Sequence, residues 1–474
     1  MSSAETLMLQ IESMDLEGQG VARHEGKVVF VQGALAGEQV LARVVKRKPR
    51  FDRAELVSIL RGSSQRVTPA CPHFGVCGGC SMQHLEPAAQ LAVKQQALED
   101  QLLHIGGIRP ETVLRPVAGP TWGYRFRARL SVRHVPRKGG VLVGFHERGS
   151  SYVADMRECR VLPRRVSDLL MPLRELVGSL SIRDRAPQIE LAVGEVSAAR
   201  SESSGDGTAG RTRQIIALVL RILEPLTDSD RNALSRFALS YSVEWWLQPK
   251  GPDSIVLFCD DEGRLAPGEP SNPVCSSLAY ELPEYGIRMP YRPTDFTQVN
   301  HAVNTVLIRQ ALGLLKPQAG ERIADLFCGL GNFSLPMASL GCQVLGIEGS
   351  SALVERAAEN ARLNGLAGRA EFMAEDLFGM TVERWRQIGH LDRLLIDPPR
   401  EGALAVCQAL ASTETMRPKR IVYVSCNPGT LARDAAILVN TGGWQLKSAG
   451  AVNMFPHTSH VESIAVFEPA GRDA

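Results

Sequence analysis

"ADLFCGLGNFSLPMA", Ala324 to Ala338, joins a strand to a helix through a turn carrying Gly329 and Gly331. It lacks the Gly-x-Gly-x-x-Gly spacing of a dinucleotide site, and a lone Gly-x-Gly is weak evidence. The order of the downstream strands is more informative. "QVLGIEG" reads as a second strand ending at Glu348, and the helix "SALVERAAENARLNG" leads to the strand "AEFMAED" and Asp376. "LDRLLIDPP" ends in Asp397, "RIVYVSC" in Cys426, and "ESIAVFEP" closes the pattern. Such alternation of strand and helix predicts an α/β domain with a doubly wound, Rossmann-like parallel sheet. Asp325, Glu348, Asp376 and Asp397 then crowd one crevice at the carboxyl ends of successive strands. A carboxylate there can hold both ribose hydroxyls of a nucleoside. Four of them suit a ligand with a ribose, an adenine and a cationic sulfonium better than one with a pyrophosphate. We therefore expect S-adenosyl-L-methionine rather than a dinucleotide.

Cys426 follows a buried strand on that same edge. A cysteine beside a strand is usually a small buried hydrophobe, but this position and the chemistry favour a nucleophile. Carbon 5 of uracil is too weakly nucleophilic to take a methyl group directly, and a thiolate adding at carbon 6 makes it an enolate carbon. A base must then remove the carbon 5 proton. Glu462, at the start of the closing strand, is the candidate, with His457 and His460 as rivals. Arg400 after "DPP" stands where amino-group methyltransferases place an aromatic residue, which counts against an exocyclic amine target.

Working outward, the chain of 474 residues has room for several domains, and 44% hydrophobic with 22% charged residues is ordinary for a globular protein. No run of 18 apolar residues occurs, and the start shows no signal peptide, so a cytoplasmic protein without a membrane partner is expected. Residues 7–60 read as short strands with glycine turns, a small OB-like barrel whose "VVKRKPRFDR" clusters Lys46, Arg47, Lys48, Arg50 and Arg53. "ACPHFGVCGGC" packs Cys71, Cys77 and Cys80 together, and by spacing alone either an iron–sulfur cluster or zinc fits. "PAAQLAVKQQALEDQLLHIGG" predicts a packing helix with Leu91, Leu98, Leu102 and Ile105 on one stripe. Residues 122–260 look β-rich. In "YRFRARLSVRH", Arg125, Arg127, Arg129 and Arg133 share one strand face and need phosphates or carboxylates over them. The Ser/Gly-rich stretch 196–212 predicts a mobile loop.

"DLFCGLGNF", "LIDPPR", "VSCNPGTLARD" and "MFPHTSHVES" resemble the RNA 5-methyluridine methyltransferase family, and the likeness covers nearly the whole chain. The start resembles a TRAM domain, and "CPHFGVCGGC" resembles the iron–sulfur segment of the ribosomal RNA branch. The resemblance implies Cys426 as nucleophile and Glu462 as base. It puts Gln298, Phe327, Asn332, Glu348, Asp376 and Asp397 around the methyl donor or target base, and moves Asp325 to a supporting role. It implies Cys159 as fourth ligand, with Cys71, Cys77 and Cys80, of a [4Fe-4S] cluster. The other cysteines, Cys259, Cys275, Cys328, Cys342 and Cys407, are left to packing. Expected domains are a TRAM-type barrel at 1–62, an iron–sulfur central RNA-binding domain at 63–290 and a methyltransferase domain at 291–474. The helix at 88–105 is implied to pack on the last. The implied partner is RNA, 23S rRNA, met by a monomer. A tRNA substrate, a cytosine target and a non-catalytic assembly factor are the alternatives.

Overall fold

The computed structural model describes residues 6–197, 212–259, 278–413 and 417–471. Most of the stretch 196–212 and all of Cys275 lie outside them. Six strands between Thr6 and Arg61 form the first sheet, ordered Thr6–Gln10, Gln39–Arg47, Phe51–Arg61, Lys27–Gln32, Gln19–His24, Ser13–Met14. It rolls around Leu9, Ile11, Val29, Val31 and Val40, all buried. The expected basic cluster, Lys46 to Arg53, lies exposed at one end.

One ion pair clamps this barrel to the cysteine segment. Glu38 is fully buried and accepts from Arg66 Nε at 2.6 Å and Nη2 at 2.7 Å, and from the backbone N–H of Leu35 and Ser63. Burial opposes its charge, yet these donors hold the carboxyl below its usual range. Arg66 also donates to Gly33 O of the barrel.

The central sheet runs Val256–Leu257, Val243–Gln248, Thr212–Arg221, Gln188–Ser197, Arg127–Val135, Gly140–Gly144. Its strand Thr212–Arg221 is buried on both faces. Ile216, Leu218 and Leu220 enter a core with the helices Leu170–Ser179 and Asp228–Tyr241, while Ala217 and Val219 enter one shared with the C-terminal sheet. Gly194 lets the hairpin strand Ala279–Leu282 approach, because a Cβ there would sit 2.7 Å from Ala279 O. Of the four arginines on one strand face, two are spoken for inside the protein. Arg129 pairs with Glu190 at 2.8 Å and Arg127 donates to Thr294 O at 2.8 Å. Arg125 lies over the Phe145 ring at 5.2 Å. Carboxylate, carbonyl and ring therefore answer much of the repulsion that the sequence pattern posed.

The C-terminal sheet has the order Ala370–Ala374, Gln343–Glu348, Arg322–Leu326, Arg393–Ile396, Arg420–Ser425, Glu462–Pro469, Trp444–Val452, Thr112–Val113. The first five are parallel, as expected. Glu462–Pro469 inverts the pattern and pairs antiparallel with both neighbours. The connection from Val452 to Glu462 is too short for a crossover, which needs a dozen or more residues, so the chain must return as a hairpin. Helices cover both faces, with Ile323, Leu395 and Val422 packed to one side and Ala324, Leu394 and Ile421 to the other.

Helix Pro87–His104 packs on this domain against helix Pro428–Ala436 through a stripe that keeps Leu98 and Leu102 of the expected one but not Leu91 or Ile105. Leu91 is half-buried and Ile105 is 53% exposed, whereas Gln90, Lys94 and Gln95 are buried with Leu98 and Leu102. Positions 90, 94, 98 and 102 repeat every four residues, and the first two are polar because polar atoms await them.

Removing one partner of a buried ion pair leaves the other uncompensated. Glu38→Ala is expected to cost about 2–3 kcal/mol, the lower end because Arg66 is partly exposed. Limited proteolysis should then cut between residues 61 and 66, which checks that this pair ties the barrel down.

Candidate active site

Because Glu462–Pro469 runs opposite to its neighbours, its first residue lies at the edge where the parallel strands end. Ser425 faces Ser463 in the register, and Ser463 Oγ donates to Ser425 O at 3.2 Å. Cys426 and Glu462 come next along the two strands. Asp397 closes the adjacent strand, its N–H bonded to Leu326 O at 3.1 Å. The arrangement brings a thiol and two carboxyls to one point, with Arg400 beside them.

The electrostatics follow from crowding. Burial pushes Cys426 up to about 12, with Glu462 and Asp397 adding to the rise and Arg400 opposing it. Glu462 is raised to about 8, mainly by burial and then by Asp397, against Lys94 and Arg400. Burial raises Asp397 to about 7. Near neutrality each carboxyl is thus only partly ionised, which eases the repulsion between two adjacent negative charges. The rival histidines differ. Burial, then Arg400, lowers His460 to about 4, and Arg400 Nη2 donates to its Nδ1 at 3.0 Å. His457 is also lowered to about 4, stacks on Trp122 at 4.0 Å and is bonded to Gln90. Groups held at such values accept protons poorly near pH 7, whereas a carboxylate near 8 accepts them well.

The glycine loop after Arg322–Leu326 lies beyond the one intervening strand Arg393–Ile396. Phe327 has φ of +63°, a left-handed conformation costly for a non-glycine residue, with Gly329 at +54° and Gly331 at +90° after it. Its N–H is held by Ile347 O at 2.8 Å, and its ring meets Phe378 at 5.6 Å. Glu348 accepts from Gly329 N and Ser350 N, both at 3.1 Å. Asp376 is exposed two residues past its strand and caps a short turn by accepting from Phe378 N. Asp325 is fully buried under the loop, accepts from Ser334 Oγ at 2.5 Å and is raised to about 7 by burial. Its place is that of a support.

Asn332 shows something that composition could not. Its Oδ1 accepts from Tyr280 Oη at 2.9 Å and Asn304 Nδ2 at 3.0 Å, and its Nδ2 donates to Asn304 Oδ1. With its amide so engaged, Asn332 anchors the loop to helix His301–Leu315. Gln298 is half-buried just before that helix. Tyr280, Asn304 and Phe378 were not legible as site residues, since each reads locally as an ordinary strand, helix or loop residue.

Cys71, Cys77, Cys80 and Cys159 line one cavity with Phe74 and Met156, and all four thiols are free. Burial raises Cys77, takes Cys80 to about 11 and Cys159 to about 12. Arg148 donates to Cys80 O at 3.0 Å and lies over Phe74. Among the described residues no three Cys, His, Asp or Glu side chains close on the single point that one metal ion requires. Four cysteines around one cavity are a soft thiolate donor set of the kind that iron–sulfur clusters and zinc both take.

The family profile described as tRNA (Uracil-5-)-methyltransferase matches residues 278–469, and the TRAM domain profile matches 4–57. The protein of Bordetella avium called 23S rRNA (uracil(1939)-C(5))-methyltransferase RlmD is 58% identical over 467 residues, covering 98% of this chain and 92% of that one. The chain belongs to the RNA uracil-5-methyltransferase family. The RlmD of Cupriavidus necator is 56% identical across 97% of this chain and 100% of its own. The solved tRNA (uracil-54, C5)-methyltransferase of Pyrococcus abyssi, in complex with S-adenosyl-L-homocysteine, superposes with a TM-score of 0.69 at 23% identity. It covers 97% of this chain and 99% of its own, and it shares the fold. As a family member this chain is an enzyme that methylates uracil carbon 5 from S-adenosyl-L-methionine. Among the described residues no helix is long and apolar enough to cross a membrane.

Alkylation of Cys426 should be slow at pH 7 and accelerate only in strongly alkaline solution, because its thiol is raised. In Glu462→Gln one negative neighbour is gone, so the thiolate is favoured and the alkylation profile moves to lower pH. Mass-spectrometric rates of iodoacetamide labelling at Cys426 check the sign of the shift.

Proposed function

We propose that this chain methylates carbon 5 of one uridine in 23S rRNA through a covalent adduct on Cys426. The observation that carries the mechanism is the pairing of Cys426 with Glu462 across two antiparallel strands, one strand from the donor loop. The relatives named for uracil 1939, aligned over nearly the whole length, support 23S rRNA and that position as substrate.

In this reading the Cys426 thiolate bonds to carbon 6 of the flipped uracil, and the electron pair moves to carbon 5 and its enolate oxygen. S-adenosyl-L-methionine would supply an electrophilic methyl on a sulfonium; carbon 5 takes it as the sulfur–methyl bond breaks, and S-adenosyl-L-homocysteine leaves with that electron pair. Glu462, as carboxylate, then accepts the carbon 5 proton, the carbon 6–sulfur bond breaks, and the electron pair returns to Cys426. Arg400 faces the growing negative charge. Glu348 serves the ribose and Asp376 the adenine, with Gln298, Phe327 and Asp397 lining donor or base. Asn332 contributes by holding the loop. Cys71, Cys77, Cys80 and Cys159 would hold a [4Fe-4S] cluster whose irons are all protein-bound, leaving it a structural and RNA-positioning part. The basic end of the barrel and the central domain grip the RNA, with limits at 62 and 290. A monomeric, cytoplasmic enzyme completes the proposal.

With radiolabelled methyl donor, label should enter 5-methyluridine of unmodified 23S rRNA and not of bulk tRNA. Label in tRNA would overturn the substrate and keep the chemistry. Cys426→Ala should abolish transfer, while Glu462→Gln should trap a methylated protein–RNA adduct stable to denaturant.

Anaerobically prepared protein should carry iron and acid-labile sulfide in equal amounts, about four of each per chain. Stoichiometric zinc without sulfide would reject the cluster.

A further inference from the structure

Helix Pro87–His104 lies far from the catalytic strands in sequence, yet it aims a row of buried polar side chains at the loop before Glu462. Gln95 Oε1 accepts from Ala451 N at 2.8 Å. Lys94 Nζ donates to Asn453 Oδ1 at 2.9 Å and to Phe455 O at 2.8 Å. Gln90 accepts from His457 N at 2.8 Å and donates toward His457 Nδ1 at 3.1 Å. His457 has φ of +65°, so these bonds hold a turn that the chain would not adopt unaided. Lys94 is the unusual member, because it is as fully buried as Gln90 yet carries an ionisable amine. Burying an ammonium costs several kcal/mol even after relaxation. A helix that only packed would use Leu or Met there, as it does at Leu98 and Leu102 one and two turns on.

We propose that Lys94 is a positioning residue for the reaction's base: it fixes the Asn453–Phe455 turn and sets a positive charge beside the Glu462 carboxylate. The inference rests on Glu462 as base. Burial lowers Lys94 to about 7 and raises Glu462 to about 8, and each opposes that effect on the other, as two opposite charges must, so the ammonium is partly present at neutral pH. The remaining charged or titratable groups facing Glu462 are Asp397 and Arg400 on the strand-end loop and Cys426 across the sheet. Lys94 also acts on His457 and His460 of the intervening loop. Removing the Lys94 charge raises the Glu462 pKa, so less carboxylate is present at a given pH and the carbon 5 proton leaves more slowly. Addition of Cys426 and methyl transfer come earlier and are spared.

The test is a single turnover of full-length enzyme on unmodified 23S rRNA with radiolabelled methyl donor, following denaturant-stable adduct and free methylated RNA from pH 6 to 10. Lys94→Met should transfer the methyl group and release it several-fold more slowly at pH 7, less than the full effect of one unit in the base because the lysine is only partly charged there. Adduct should accumulate, and release should recover at higher pH. Lys94→Gln, which keeps a donor for Asn453 without the charge, carries the same expectation should Lys94→Met fail to fold. Glu462→Gln run alongside separates the two ideas. Adduct in Glu462→Gln with unchanged release and pH profile in the Lys94 variants overturns the role of Lys94. So does joint loss of methylation and release in folded Lys94 variants without adduct. Free turnover by Glu462→Gln overturns Glu462 as base instead.

Discussion

The antiparallel insertion of Glu462–Pro469 between Arg420–Ser425 and Trp444–Val452 is the constraint on which the site depends. Were that strand parallel like its neighbours, Glu462 would start at the far edge of the sheet, a strand's length from Cys426. Inverted, the strand begins where the others end, and the register that pairs Ser425 with Ser463 sets thiol beside carboxyl. The core strands around it are apolar on both sides, Val422 and Val424 to one layer and Ile421 and Tyr423 to the other. A slip of one residue would turn all of them to the wrong face, so packing protects the register and the register protects the chemistry.

Crowding carboxyls at that edge has a consequence that a sequence motif does not express. Asp325, Asp397 and Glu462 are each raised toward or above neutrality because water is excluded, and the Cys426 thiol is raised with them. Near neutrality these carboxyls are therefore only partly ionised. A base that ionises near neutrality is suited to accept a proton late in a reaction, after the nucleophile has already acted. The same exclusion of water holds His457 and His460 neutral, which leaves one to pack and the other to meet Arg400.

Much of the fold was legible because apolar period and glycine turns report local geometry. The five parallel strands, the barrel strands, the helices and the acidic residues at strand ends all follow from short stretches such as "ADLFCGLGNF". Family resemblance added Gln298, Phe327, Asn332 and the distant Cys159, which neither period nor spacing could reach. Two local patterns were legible only in part. Of the expected helix stripe Leu98 and Leu102 are packed but Leu91 and Ile105 are not, since apolar residues define a face only where the partner surface is apolar. The arginine face called for phosphates or carboxylates without saying which, and Glu190 and Thr294, remote in sequence, take up two of its members.

By itself the sequence determined the element types, the edge that carries the chemistry and the residue kinds that perform it. Each depends on neighbours within a few residues, where backbone geometry leaves few choices. Only the tertiary structure decided the direction of the closing strand, the engagement of Asn332 by Tyr280 and Asn304, and the burial of Gln90 and Lys94 against the loop before Glu462. Those are contacts between segments tens to hundreds of residues apart. A polar side chain is buried only where a matching donor or acceptor waits, and local sequence does not disclose where that partner will be.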